Sequence, residues 1–403
     1  MKKNNFKIPW SLRSHKYTQN EINKVIKFLK SDEPLVNGLE LKKFEKNFQR
    51  YLSTRGEVFA VSCGSSAIEL AAATLSLRKG DEIIVPAHTY VASALPFCRY
   101  NCNIVWADIK LDTMTINPDD ILKRINKKTK AIIITHLYGM PCDINKIKKI
   151  CRLKKIILIE DCAQALGAEY FKKKVGTFGD MSIFSFHAQK NMSTIGAGGA
   201  LVINNKKYHK LADGLRKNGH RAYSNKSHYW LPAMVDVYED VKGITPFNFP
   251  FTELQSIIGN NLLKRIQKLN NDRIRRAKKI ISSLKSFKYL KFQKYKKNYK
   301  NVFHLLPALI DSNFVKFNRD DFIKIMSKKY KIQVIIQYLP MYRYHFFKQR
   351  DFNLKKLEAT DFFYDNMISL PFHHWMSDLD LEYLIKSIKK TLIFLEKKTG
   401  YEK

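Results

Sequence analysis

Between Glu57 and Asn205, short apolar runs alternate with helix-length stretches. Seven runs have strand length: Val58–Ser62, Glu82–Pro86, Asn103–Ala107, Ala131–His136, Ile156–Ile159, Ser182–Phe186 and Ala200–Ile203. Several are rich in Ile and Val on both faces, as strands covered on both sides require. Ser66–Leu77 and Pro118–Ile125 read as helices between them, the second opening on proline after an Asn117 cap. This alternation predicts a three-layer α/β domain around a mostly parallel sheet, with its ligand site at the carboxyl ends of the strands.

After Gly219 the pattern turns irregular and aromatic, through HRAYSNKSHYWLPAM and then GITPFNFPF. A helical stretch from Thr252 to about Ser286 leads into a smaller α+β unit. Its predicted elements are strands near Tyr289–Phe292 and Val302–Leu306, a helix near Asp320–Lys329 and a closing helix near Leu379–Lys398. The expected division is a large unit over residues 1–260 and a small C-terminal unit over 261–403.

Composition narrows the class. The chain has 403 residues, 45% of them hydrophobic, enough for one large core or two moderate ones. No run of about eighteen apolar residues occurs, so no membrane span is expected. The opening MKKNNFKIPW has basic residues but no apolar signal region. Six cysteines lack a CxxC pair or a metal-ligand spacing, which points to a cytoplasmic protein with reduced thiols and no bound metal. Charge is the unusual feature: 72 Lys and Arg against 36 acidic residues give +36. The surplus is lysine spread along the chain, which reads as a solvated surface and not as a dedicated nucleic-acid stripe.

Three loops at predicted strand ends carry the chemistry. Ser62-Cys63-Gly64-Ser65-Ser66-Ala67 joins a strand to a helix, where hydroxyls and free amides suit a phosphate. By itself this is also an ordinary helix cap. Ile159-Glu160-Asp161-Cys162-Ala163-Gln164 puts a carboxylate at a strand tip, where it either caps a helix or meets a cation such as a pyridinium nitrogen. Phe184-Ser185-Phe186-His187-Ala188-Gln189-Lys190-Asn191 places Lys190 just past an apolar strand, ahead of a Gly196-Ala197-Gly198-Gly199 turn. A partly buried lysine has a lowered pKa and can form a Schiff base with a carbonyl. A phosphate cradle, a strand-end Asp and a lysine about thirty residues further on are together the set that pyridoxal 5′-phosphate requires.

With these motifs the chain resembles the sugar aminotransferases of the DegT/DnrJ/EryC1/StrS type, which are fold-type-I pyridoxal-phosphate enzymes. The resemblance spans about residues 20–395 and includes GDEIIVPAHTYVASA at 80–94, THLYGMPCD at 135–143, EDCAQALGA at 160–168, FSFHAQKN at 184–191 and TELQ at 252–255. It implies that Lys190 is the Schiff-base lysine and proton shuttle, and that Asp161 partners the pyridine nitrogen. It further implies Gln164 near the 3-hydroxyl, Tyr90 stacked on the ring, and Gly64, Ser65, Ser66 and Ser185 as phosphate ligands. Asn248 matches an asparagine that reaches the phosphate from a neighbouring subunit, which implies a homodimer with shared active sites. The implied reaction moves an amino group from an amino acid, glutamate by resemblance, to a keto-sugar on a nucleoside diphosphate.

Departures from the family pattern fall in substrate motifs: Ala197 in the glycine turn, Phe249-Pro250 after Asn248, and Gln337-Tyr338-Leu339-Pro340 where a histidine is usual. The stretch His220–Gly243 is expected to shape specificity. A dehydratase of the same family would carry histidine in place of Lys190 or cysteines for an iron–sulfur cluster. A non-catalytic, nucleic-acid-binding relative is the reading that the charge would favour.

Overall fold

The computed structural model describes residues 6–219, 244–350 and 356–400. The chain enters through two helices, α1 (Gln19–Leu29) and α2 (Leu39–Leu52). Thr18 and Glu21 close a reciprocal capping box on α1. The start of α2 has no local side-chain cap. Instead the buried Glu253 carboxylate accepts the amides of Gly38, Glu40 and Leu41, which answers both the orphan donors and the helix dipole.

Seven strands follow: β1 (Glu57–Val61), β2 (Glu82–Pro86), β3 (Asn103–Ala107), β4 (Thr129–Thr135), β5 (Ile157–Asp161), β6 (Met181–Ser185) and β7 (Gly199–Ile203). They form one sheet in the order β1-β7-β6-β5-β4-β2-β3. All pairs are parallel except those made by β7, which runs against both β1 and β6. The expected mostly parallel three-layer architecture is what the chain adopts. One layer holds α2, α5 (Ile144–Lys154) and the first half of α7 (Glu253–Ser283), whose residues pack on one face of the sheet. The other is built on the alanine-rich α3 (Gly64–Thr74) with α6 (His209–Leu215). A further helix of this unit is α4 (Pro118–Arg124), with Asn117 accepting the Asp119 amide as expected.

A second core forms around the antiparallel sheet β8 (Leu290–Phe292), β9 (Leu306–Ile310) and β10 (Met367–Leu370), covered by α8 (Arg319–Lys328) and α10 (Asp378–Thr399). The helix α9 (Glu358–Asn366) packs beside it. The strand expected at Val302–Leu306 starts later, because Phe303 has a φ of 45° and its amide turns back to the Asn301 side chain. Residue 260 lies inside α7, whose Ile258 and Leu262 belong to the first core and whose Ala277 and Ile280 belong to the second. We propose that the division into two units runs along this helix. All six cysteines are free, and no described helix is long and apolar enough to cross a membrane.

Candidate active site

The carboxyl ends of β5 and β6 lie side by side, with Asp161 paired to Ile183 in parallel register. Strand alternation sends Glu160 and Asp161 to opposite sides of the sheet. Glu160 is fully buried and fully used. Its carboxylate accepts from the amides of Gly176, Phe178 and Gly179 at 2.7–2.9 Å and from His136 Nε2 at 3.0 Å. Burial works to raise its pKa, but the His136 hydrogen bond and the backbone donors outweigh burial and hold it below the usual carboxylate range. His136, Glu160 and Cys162 form the one grouping among the described residues with metal-ligand geometry. His136 Nδ1 already accepts the Cys142 amide, however, so its Nε2 carries the proton given to Glu160 and neither nitrogen is left for a metal.

Asp161 is buried as well, yet among the described residues it has only two donors: Ser93 Oγ at 2.7 Å and the Ala163 amide at 3.0 Å. An ionised carboxylate offers about four acceptor sites, so two remain for a ligand. Ser93 arrives on the short Val91–Ser93 turn, whose capping residue is Tyr90. The Tyr90 ring is exposed and meets Tyr338 edge-on, with centroids 5.9 Å apart. Tyr338 in turn accepts from Gln164 Nε2 at 3.1 Å, while Gln164 Oε1 accepts the Tyr138 amide at 2.8 Å.

On the other side of β6, the start of α3 approaches Ser185. A Cβ on Gly64 would lie 2.8 Å from the Ser185 Cβ, so glycine permits this contact. Gly199 is needed for a similar reason: its Cβ would sit 2.4 Å from the Cys63 carbonyl carbon. Cys63 caps α3 weakly, its sulfur accepting the Ser66 amide at 3.4 Å. The Ser66 hydroxyl is tied to Ser62 Oγ at 2.8 Å, whereas Ser65 is exposed at the helix start.

Lys190 follows five residues after β6 in a tight loop that the N-terminal segment clamps. The Ser14 amide donates to the Ala188 carbonyl, and the Ser14 hydroxyl donates to the Lys190 carbonyl. His15 Nε2 accepts the Ser193 amide, and the Tyr17 hydroxyl joins the Ser193 carbonyl to the Ile195 amide. The Lys190 side chain is only half-buried along its length, but its amine is enclosed by protein. Loss of hydration pulls its pKa down to about 8, with the Asp161 charge acting in the opposite direction. Lys190 also lines a small cleft of about 50 Å³, shared with Trp10, Arg273, His304 and Tyr338.

The structure therefore gathers Lys190, Asp161, Gln164, Tyr90, Gly64, Ser65, Ser66 and Ser185 along one edge of the sheet. Asn248 stands apart. It is exposed, its backbone bridges to Lys217, and it touches none of these groups among the described residues. The stretch His220–Gly243 lies outside the described residues. Sequence reasoning missed Ser93, although it sits inside the motif at 80–94. It also missed the N-terminal clamp and the Arg273–His304 wall, which carry no local motif.

Comparison with known proteins identifies the family. The model of the DegT/DnrJ/EryC1/StrS aminotransferase family matches residues 15–389. The protein MJ1066 of Methanocaldococcus jannaschii is 32% identical over 379 residues, which span 92% of this chain and 95% of that protein. GDP-perosamine synthase of Vibrio cholerae is 34% identical over 232 residues, 58% of this chain and 59% of the synthase. Among solved structures, Helicobacter pylori PseC, an aminotransferase involved in the biosynthesis of pseudoaminic acid, has a TM-score of 0.85 at 26% identity, covering 96% of this chain and 99% of PseC. The chain belongs to the DegT/DnrJ/EryC1/StrS aminotransferase family, and it is a sugar aminotransferase that depends on pyridoxal 5′-phosphate.

Proposed function

We propose that this enzyme moves an amino group from an amino acid, with glutamate as the donor, to a keto-sugar carried on a nucleoside diphosphate, in the synthesis of an amino sugar for a surface polysaccharide. The observation that carries the residue assignment is the pair of unfilled acceptor sites on buried Asp161 beside a Lys190 amine whose pKa is pulled down to about 8. The donor set fits pyridoxal phosphate. Asp161 can accept a ring N–H, Gln164 and Tyr90 stand nearby, and the glycine-permitted contact of Gly64 with Ser185 opens the first turn of α3 to a phosphate. Ser65 supplies its amide there, beside a Ser66 amide that is held only by the Cys63 sulfur at 3.4 Å. Asn248, exposed on this subunit, suits a phosphate held by a second copy, in keeping with a homodimer with shared sites.

When bound, the cofactor supplies a carbonyl for the amine and an electron sink for the carbon that loses its proton. The protein's own share is proton handling and charge. With a pKa of about 8, roughly a tenth of the Lys190 amines are neutral at pH 7. Nζ can then take a proton from a substrate carbon and return it, as general acid–base catalysis requires. Asp161, fixed by Ser93 and the Ala163 amide, places a carboxylate where the ring nitrogen would need one.

Lys190 also favours transfer over dehydration, since the related dehydratases lack this lysine. The test is amino transfer from glutamate to a panel of nucleotide-linked 3-keto and 4-keto sugars, by the parent and by Lys190→Ala. The variant is expected to lose turnover and the colour of lysine-bound cofactor. Amination at the parent rate by the alanine variant would refute the assignment.

A further inference from the structure

The wall of the Lys190 cleft contains a cation that no described residue neutralises. Arg273, on α7, is buried. Its Nε donates to the Phe303 carbonyl at 3.0 Å, and Nη2 donates to the His304 carbonyl. One face of the guanidinium lies 4.6 Å from the Phe372 ring centre. Two of its five N–H donors are thus spent on neutral carbonyls, and Nη1 has no partner among the described residues. The neighbouring ionisable groups His304, His373 and Lys190 carry no negative charge. Burial pulls the Arg273 pKa down to about 10, and no carboxylate among the described residues counters that fall. The nearby Arg276 shows the usual solution, an ion pair with Asp378 at 3.2 Å. A desolvated cation without a counter-charge is costly to hold, and this one borders the same space as the reactive amine.

We infer that the Arg273 guanidinium is the anchor for a carboxylate of the amino-acid donor, held in the cleft next to Lys190. A planar fork with free donors matches a carboxylate geometrically. In an amino acid the carboxylate lies two bonds from the nitrogen that is transferred, so the two groups fit one small cleft. The pyrophosphate of a nucleotide sugar is further from its reacting carbon. Arg13 lines the mouth of the same cleft and provides a second, exposed cation. The inference builds on the aminotransferase reading above and adds which residue selects the donor.

The two half-reactions separate this proposal from its alternatives. In Arg273→Gln holoenzyme, the dissociation constant for glutamate should rise by about 10- to 100-fold, the value of a hydrogen-bonded charge pair. Cofactor colour and the nucleotide-sugar half-reaction should persist. Calorimetric binding of maleate, an unreactive dicarboxylate, should be lost in parallel, while inorganic phosphate should bind the parent and the variant alike. Arg273→Lys, which keeps the charge, should recover part of the maleate affinity. Should Arg273→Gln fail to fold, Arg13→Gln should still weaken maleate binding several-fold. The inference is overturned if the nucleotide-sugar half-reaction is the one lost, if phosphate binding falls with maleate binding, or if maleate affinity is unchanged. Loss of lysine-linked colour in parent enzyme would instead count against the aminotransferase assignment itself.

Discussion

Replacing Gly64 with alanine tests whether the start of α3 and the end of β6 form a single phosphate cradle. The added Cβ would lie 2.8 Å from Ser185 Cβ and 3.2 Å from its Oγ, where ordinary contact begins at 3.4 Å. The two elements must therefore part by about 0.6 Å, the shortfall between those values. Neither gives way easily, because Ser185 is paired to Gly199 on β7 and Gly64 is buried. Overpacking by one methyl costs about 1–3 kcal/mol, and the better helix propensity of alanine returns up to ~1 kcal/mol. The apoenzyme should lose only about 0–2 kcal/mol in denaturant unfolding. Cofactor binding should suffer more. Displacing one charge-assisted hydrogen bond costs about 1.5–3 kcal/mol, or roughly a 10- to 100-fold rise in dissociation constant. Titrating apoenzyme with pyridoxal phosphate in Gly64→Ala, Ser185→Gly and the double variant completes the cycle. The double variant should bind better than the sum of the single losses, since removing the Ser185 side chain removes the collision. Parental affinity in Gly64→Ala, or strict additivity, would refute the shared cradle.

Lys190 has a folded pKa of about 8 against 10.5 for the free side chain, so the unfolded chain binds more protons between those values. Apoenzyme stability should therefore rise from about pH 8 to 10.5 relative to Lys190→Met, and a constant gap between the two curves would contradict the shift. Asp161→Asn removes the charge that raises the Lys190 pKa, so the pH profile of cofactor attachment should move to lower pH; an unmoved profile would separate the two residues. Glu160→Gln turns an acceptor-only group into one that faces donors, and should cost about 3–5 kcal/mol in denaturant unfolding; a loss below 1 kcal/mol would show that the buried network is not holding the strand end. Mixing Asn248→Ala with Lys190→Ala should restore a fraction of active sites in mixed dimers, and no recovery would speak against an asparagine supplied across the interface.

Much of this was readable in the chain because the sheet strands are dense in Ile and Val and the cofactor loops are contiguous. Asp161 and Lys190 each follow an apolar run, so a strand-end position could be assigned without coordinates. The N-terminal clamp was not readable. Ser14, His15 and Tyr17 act through loop carbonyls, amides and a ring nitrogen more than 170 residues away, and such contacts leave no periodicity. Arg273 was hidden for a different reason. It sits among the cations of α7, where Arg275 and Lys278 look the same in sequence, and only burial against Phe303 and His304 distinguishes it. The shift of β9 also follows from one residue, since nothing in NVFHLL announces that Phe303 adopts a positive φ.

The adjacent carboxylates at the end of β5 show how the fold separates structure from chemistry. Glu160 and Asp161 are the same kind of group, one residue apart and both buried. Alternation turns them to opposite sides of the sheet. Glu160 meets a turn whose amides, with His136, fill every acceptor site it has. Its charge is thereby spent on fixing the strand end, and it has nothing left to offer a ligand. Asp161 meets one hydroxyl and one amide, enough to fix its rotamer but not to satisfy its charge. A buried carboxylate in that condition is stable only when a cation completes it. Lys190, which feels the Asp161 charge, is itself held short of full protonation by burial. The two groups are thus mutually incomplete, and a ligand presenting a cationic nitrogen to one and a carbonyl to the other would satisfy both at once. The rigid, saturated environment of Glu160 is what keeps Asp161 in place to wait for that ligand.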